Sequence, residues 1–187
     1  HPTIIDVTIC RDLYINLFGN LVVTESGALH LSNCRLYLNN GTIPLQYGAH
    51  IYGELSTNES TQVLAYHPAR PYYFIIHDTA TLRMDRTTVR YCGDSRGLTP
   101  SYYGFTLQST QATIMNSHFT QGYAGLVIYQ GHQNQITSTT ATDNFIGFYL
   151  YNCTNNLLHA TRALNNHYGY LLVNSDQNTL INCQATD

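Results

Sequence analysis

The sequence predicts an all-β solenoid of about eight coils, with roughly 22 residues and three short strands to a coil. Three observations lead there. The segments beginning at Gly125, Gly147 and Gly169 lie over one another without a gap: GLVIYQGHQNQITSTTATDN, GFYLYNCTNNLLHATRALNN and GYLLVNSDQNTLINCQATD. Apolar residues within each segment alternate with a period of two, and no 3.6-residue pattern persists for three turns in the 187 residues. In the first third of the chain, strand cores recur every seven or eight residues, and three such steps make one coil of about 22 to 24.

In chain order, residues 1–60 supply the strand cores Leu13-Tyr14-Ile15, Leu21-Val22-Val23, Leu29-His30-Leu31, Leu36-Tyr37-Leu38, Ile43-Pro44-Leu45 and Ile51-Tyr52-Gly53. The near-copies CRDLYIN and CRLYLN, starting at Cys10 and Cys34, suggest one full coil between them. Residues 61–103 read as less regular, loop-rich coils, and 104–187 as regular repeats, all within a single domain 1–187. In those repeats Leu126/Phe148/Tyr170 and Ile128/Leu150/Leu172 sit two residues apart, so both columns point to one face of a strand, the inside. A second strand carries Ile136/Leu158/Leu180, and Ala141/Ala163/Ala185 mark a column where only a small side chain fits. Between the first two strands stand Asn134, Asn156 and Asn178. Asparagine tolerates the left-handed backbone and bonds to turn peptides, so these three are expected at the turn as a structural ladder. Eight coils stacked at ~4.8 Å make a rod about 40 Å long.

Composition narrows the function. Only 10% of residues are charged, the net charge is −3, and all eight basic residues are arginines. Nucleic-acid binding needs clustered basic residues, which this chain does not supply, and no apolar run reaches the length of a membrane span. The surface is expected to be neutral, hydrogen-bonding and rich in its 16 tyrosines, as suits a protein outside the cell or on its surface. Three sequons, Asn40, Asn58 and Asn152, are candidate glycosylation sites. The five cysteines form no C-x-x-C pair, so neither a metal site nor a cofactor is expected. They are either small core residues or, for Cys10 and Cys34, a disulfide between adjacent coils.

These coils, with a glycine, alternating apolar residues, an asparagine and a second short strand, resemble the right-handed parallel β-helix superfamily, the pectate-lyase-like and NosD-like repeat proteins. That resemblance implies fold more than activity, because the superfamily includes lyases, hydrolases, tailspikes, adhesins and non-catalytic proteins. Its hydrolases pair aspartates, and here Asp143-Asn144 and Gly131-His132 are only fragments of such a set. The stretch from His77 to Arg96 holds half the arginines, and alternation puts Arg83 and Asp85 outward together, with Arg90 outward further on. These three are the only catalytic candidates, and cross-strand ion pairing is the alternative reading. Tyr129 and Tyr151, beside Tyr149, form an outward aromatic row that suits a sugar ring or a protein partner. With strands running to both termini and no evident cap, the function expected is an extracellular structural solenoid that associates with itself. The alternative is a polysaccharide-binding or polysaccharide-cleaving protein, or an adhesin-like or tailspike-like module.

Overall fold

Each strand lies parallel to a strand one coil away, and that single rule generates the architecture. In the computed structural model, which describes residues 3–4, 6–39 and 41–187, three parallel sheets of eight strands each wrap one core. Sheet 1 contains Thr3–Ile4, Leu21–Val23, Gly48–Ile51, Tyr73–Ile76, Phe105–Leu107, Ala124–Tyr129, Ile146–Tyr151 and Tyr168–Val173. Sheet 2 contains Val7–Arg11, Ala28–Ser32, Glu54–Asn58, Thr81–Asp85, Thr113–Met115, Gln135–Thr137, Leu157–His159 and Thr179–Ile181. Sheet 3 contains Tyr14–Phe18, Arg35–Asn39, Gln62–Ala65, Thr88–Arg90, His118–Thr120, Thr140–Thr142, Arg162–Leu164 and Gln184–Thr186. One helical element is present among the described residues, the 3₁₀ turn Pro100–Tyr102.

The inward columns are those the alternation marks. Phe105, Leu126, Phe148 and Tyr170 are in register, as are Leu107, Ile128, Leu150 and Leu172. Stacking like on like puts aromatic rings over one another, Phe74 on Phe105 at 4.9 Å and Phe148 on Tyr170 at 5.1 Å between centroids. The alanine column is tight because a Cβ at Gly125 would come 3.1 Å from the Cβ of Ala141, and one at Gly147 would come 3.0 Å from that of Ala163.

The asparagine ladder runs from coil to coil. Asn156 Oδ1 accepts from the backbone N–H and from Nδ2 of Asn134, at 3.0 and 2.9 Å, and Asn178 Oδ1 does the same for Asn156. The left-handed residue, however, is the one before each ladder asparagine, namely Gln133, Asn155 and Gln177 (φ 56, 57 and 56°). The ladder side chains instead turn inward, with Asn134 and Asn156 buried, and satisfy peptides that the corner leaves without strand partners. A second ladder of the same kind, Asn144 on Asn166, occupies the corner after sheet 3.

Three expectations fail in the first half. Tyr52 and Gly53 form a bend between the strands Gly48–Ile51 and Glu54–Asn58 rather than part of a strand core. Ile43–Leu45 forms turn rather than strand, with Leu45 at φ 56° and Ile43 exposed; Pro44 offers no N–H to a ladder. Cys10 pairs with Leu31, and Ile15 with Leu36, so the coils register on a shorter offset than the cysteine near-copies suggest. Cys10 and Cys34 therefore do not occupy one column. Both are free thiols, and Cys34 Sγ donates to the Cys10 carbonyl at 3.2 Å.

Candidate functional site

The strands of sheet 2 put alternate side chains outward, and their parallel register lines those side chains up along the rod. One outward column reads Ile9, His30, Ser56, Arg83, Thr113, Gln135 and Leu157. Three hollows lie over this face. The central one, about 760 Å³, is lined by residues including Ser56, Asn58, Arg83, Asp85, Arg86 and Thr113. It shares Ser56 and Asn58 with a hollow of about 400 Å³ that reaches Arg11 and His30, and Gln111 and Thr113 with one of about 490 Å³ that reaches Leu157. Together they form an open trough over seven consecutive strands, six steps or about 29 Å at the strand spacing.

Its polar groups are partly committed to one another. Asp85 accepts from Arg86 Nε at 3.1 Å and from Asn116 Nδ2 at 2.9 Å. Ser32 Oγ donates to Glu59 Oε2 at 2.5 Å, and Asn33 Nδ2 to Asp12 Oδ1 at 2.8 Å. His30 Nδ1 lies 2.5 Å from Ser56 Oγ and 4.0 Å from Glu54 Oε1. Arg83, exposed in the middle of the trough, makes no ion pair and no hydrogen bond among the described residues. Its five N–H donors are available to a ligand.

Of the three catalytic candidates, Arg83 and Asp85 thus share the trough. Arg90 does not. It lies on sheet 3, where its Nε donates to Gln121 at 2.6 Å and its guanidinium sits 5.3 Å from the ring centre of Tyr91. Alternation predicts which residues point outward, but in a three-sided rod outward has three directions. His30, Glu54 and Ser56 escaped the sequence reading because the register partners His30 and Ser56 stand further apart in the chain than the partners of the regular repeats.

The tyrosine row lies on sheet 1. Tyr129 and Tyr151 stack at 5.6 Å and 22°, and Tyr149 meets Tyr151 edge-on at 5.9 Å. Tyr149 is buried rather than displayed, at 7% exposure, in an external apolar cluster with Ala124, Val127 and Ile146. Burial, then the neighbouring Tyr151, pushes its phenol up. Toward the N-terminal end of the same face, His50 Nδ1 and His77 Nε2 are 3.0 Å apart. Burial depresses both imidazoles, and for His77 the His50 ring adds to the effect.

Among the sequons, Asn58 is exposed and lines the trough, so a glycan there and a ligand in the trough would exclude each other. Asn152 is half-buried at a left-handed corner beside Tyr151. Asn40 lies outside the described residues. No group of three or more histidine, cysteine or acidic side chains able to hold a metal occurs among the described residues.

A family model described as "Right handed beta helix region" matches residues 71–187. No curated protein and no solved structure matches the chain.

Proposed function

Since the chain belongs to the family of right-handed β-helix proteins, we propose that it works outside the cell and binds an extended saccharide chain along sheet 2. The observation that carries this reading is the continuity of the trough. Three hollows joined through shared residues make a surface suited to a polymer laid parallel to the rod, too long and open for a small metabolite. Hydroxyl and amide side chains at Ser56, Asn58, Thr113 and Gln135 match sugar hydroxyls, and the uncommitted Arg83 supplies the strongest donor.

Titration of the protein into fluorescently labelled neutral and acidic polysaccharides tests the reading. Arg83→Ala is expected to weaken polymer binding about tenfold or more, the order of one charge-assisted contact. Arg90→Ala, on another sheet, leaves binding unchanged. Equal loss from both variants, or no binding to any polymer, overturns the assignment.

Self-association is a second reading with its own support. The half-buried Tyr129 and Tyr151 on the outside of sheet 1, with Phe145 and Tyr168 exposed near them, offer an aromatic face to another copy. Sedimentation velocity against concentration decides this. Tyr151→Ser is expected to lower any oligomer fraction, and a monomer at all concentrations sinks it.

A further inference from the structure

The row His30, Ser56, Arg83 crosses three adjacent strands of sheet 2 in direct register, and all three side chains face the trough. Ser56 thus has an imidazole on one side and an uncommitted guanidinium on the other. Glu54, two residues before Ser56 on the same face of its strand, brings a carboxylate to 4.0 Å from the imidazole. A serine hydroxyl is a weak nucleophile unless a base takes its proton, and the 2.5 Å separation of Ser56 Oγ from His30 Nδ1 is that contact. It requires the imidazole tautomer with its hydrogen on Nε2, which leaves the Nδ1 lone pair to accept.

We propose that Ser56 is the nucleophile of an ester-hydrolysing site acting on O-acyl groups carried by the polymer in the trough. Ser56 Oγ attacks the ester carbonyl carbon while its proton passes to His30 Nδ1, and the carbonyl oxygen becomes an oxyanion on the side of Arg83. Collapse breaks the acyl carbon–oxygen bond and returns the proton from His30 to the departing sugar hydroxyl. Water, deprotonated by His30, then attacks the acyl-serine; the carboxylic acid leaves and Ser56 recovers its hydrogen. Every atom is accounted for by ester plus water. Glu54 differs from the usual third member of such a set because it approaches the same nitrogen as the serine. It therefore stabilises the imidazolium through space rather than fixing the tautomer from the opposite nitrogen.

This rests on the trough being the ligand site, yet the chemistry can be read without a polymer. Purified protein is given p-nitrophenyl acetate, and separately a fluorophosphonate that modifies activated serines, with the adduct located by peptide mass spectrometry. Expected are turnover above background, an adduct on Ser56, loss of both in Ser56→Ala, a loss of about 10²–10⁴-fold in His30→Gln and of about 10²–10³-fold in Arg83→Ala. No turnover beyond the Ser56→Ala level, or an adduct placed on another residue, overturns the proposal. Ser56→Ala removes one neutral hydrogen-bonding group from the trough and is expected to weaken polysaccharide binding only about two- to tenfold while abolishing turnover. Ester cleavage without polymer binding would overturn the saccharide reading and leave the serine site standing; binding without cleavage would do the reverse.

Discussion

The coils before Phe105 and those after it are built on the same three sheets, but only the later ones keep step. From Phe105 onward the register partners hold a near-constant spacing along the chain, as in Phe105 with Leu126 and Leu126 with Phe148. Earlier, Leu21 pairs with Ala49, Gly48 with Tyr73 and Phe74 with Phe105, so that successive coils differ in length. The extra residues sit at corners. One such insertion, with the 3₁₀ turn Pro100–Tyr102, packs over sheet 1, where Thr106 Oγ1 donates to the Ser101 carbonyl at 3.0 Å and is fully buried. Equal coils can share one solution for their corners, and the asparagine ladders are that solution. Unequal coils must satisfy each corner separately, and in exchange the flanking faces become varied enough to hold chemistry. The Ser56 row, Arg83 and the His50–His77 contact all lie in the unequal half.

The largest expected break in this comparison is in the ladder. Asn156→Ala strips an acceptor from two buried donors of Asn134 and a donor from the Gly131 carbonyl, so it should cost about 3 kcal/mol or more. Ser32→Ala, which loses one solvated bond to Glu59, should cost below about 1 kcal/mol. Urea unfolding of both proteins measures the difference, and equal losses would show that the ladder is ornamental.

Next in size is Gly147→Ala. Its Cβ would fall 2.6 Å from the Gly169 carbonyl oxygen and 3.0 Å from Ala163, an overpacking of about 1–3 kcal/mol. Ser95→Ala, on the exposed insertion of the unequal half, should stay within about 0.5 kcal/mol. A tolerated Gly147→Ala would mean that the regular coils can slide apart.

A smaller effect is expected from acid. His50, His77 and His118 are held below the ordinary imidazole value by burial, so the unfolded chain binds their protons more readily than the fold does. Stability from these groups is present above about pH 6.5 and is lost as pH falls from there toward their lower folded values. Thermal unfolding at pH 7.5 and 5.5 should show the loss, and His50→Gln with His77→Gln should shrink it. An unchanged slope in that double variant would remove the pair from the account. Smallest of all is the response to reductant. With Cys10 and Cys34 as thiols, unfolding midpoints with and without dithiothreitol should coincide, and a drop on reduction would restore the disulfide.

The same contrast governs what could be read from the letters. The inward columns Leu126/Phe148/Tyr170 and Ile128/Leu150/Leu172 were legible directly, because a period of two and a fixed coil length leave one register. The Cys10/Cys34 match misled, since a short local likeness competed with a true, shorter offset that no motif marks. Asn134, Asn156 and Asn178 are legible as a ladder at the turn, but the left-handed backbone falls one residue before each of them. Their recurrence shows in the letters, whereas the inward direction of their amides depends on Gln133, Asn155 and Gln177 taking the left-handed backbone.

Repetition and alternation by themselves determined a three-sided parallel solenoid of eight coils, because a strand with one apolar face and a neighbour of equal length has only one way to bury it. Which residues of different coils meet on an outer face was decided only in the tertiary structure. His30, Ser56 and Arg83 become neighbours through coils longer than the regular repeat, and that extra length carries no signature in the chain. The face that Arg90 occupies depends on a corner lying between it and Asp85. The reason is physical: burial of the inner face holds each strand in place, while the outer face inherits whatever register the loops allow.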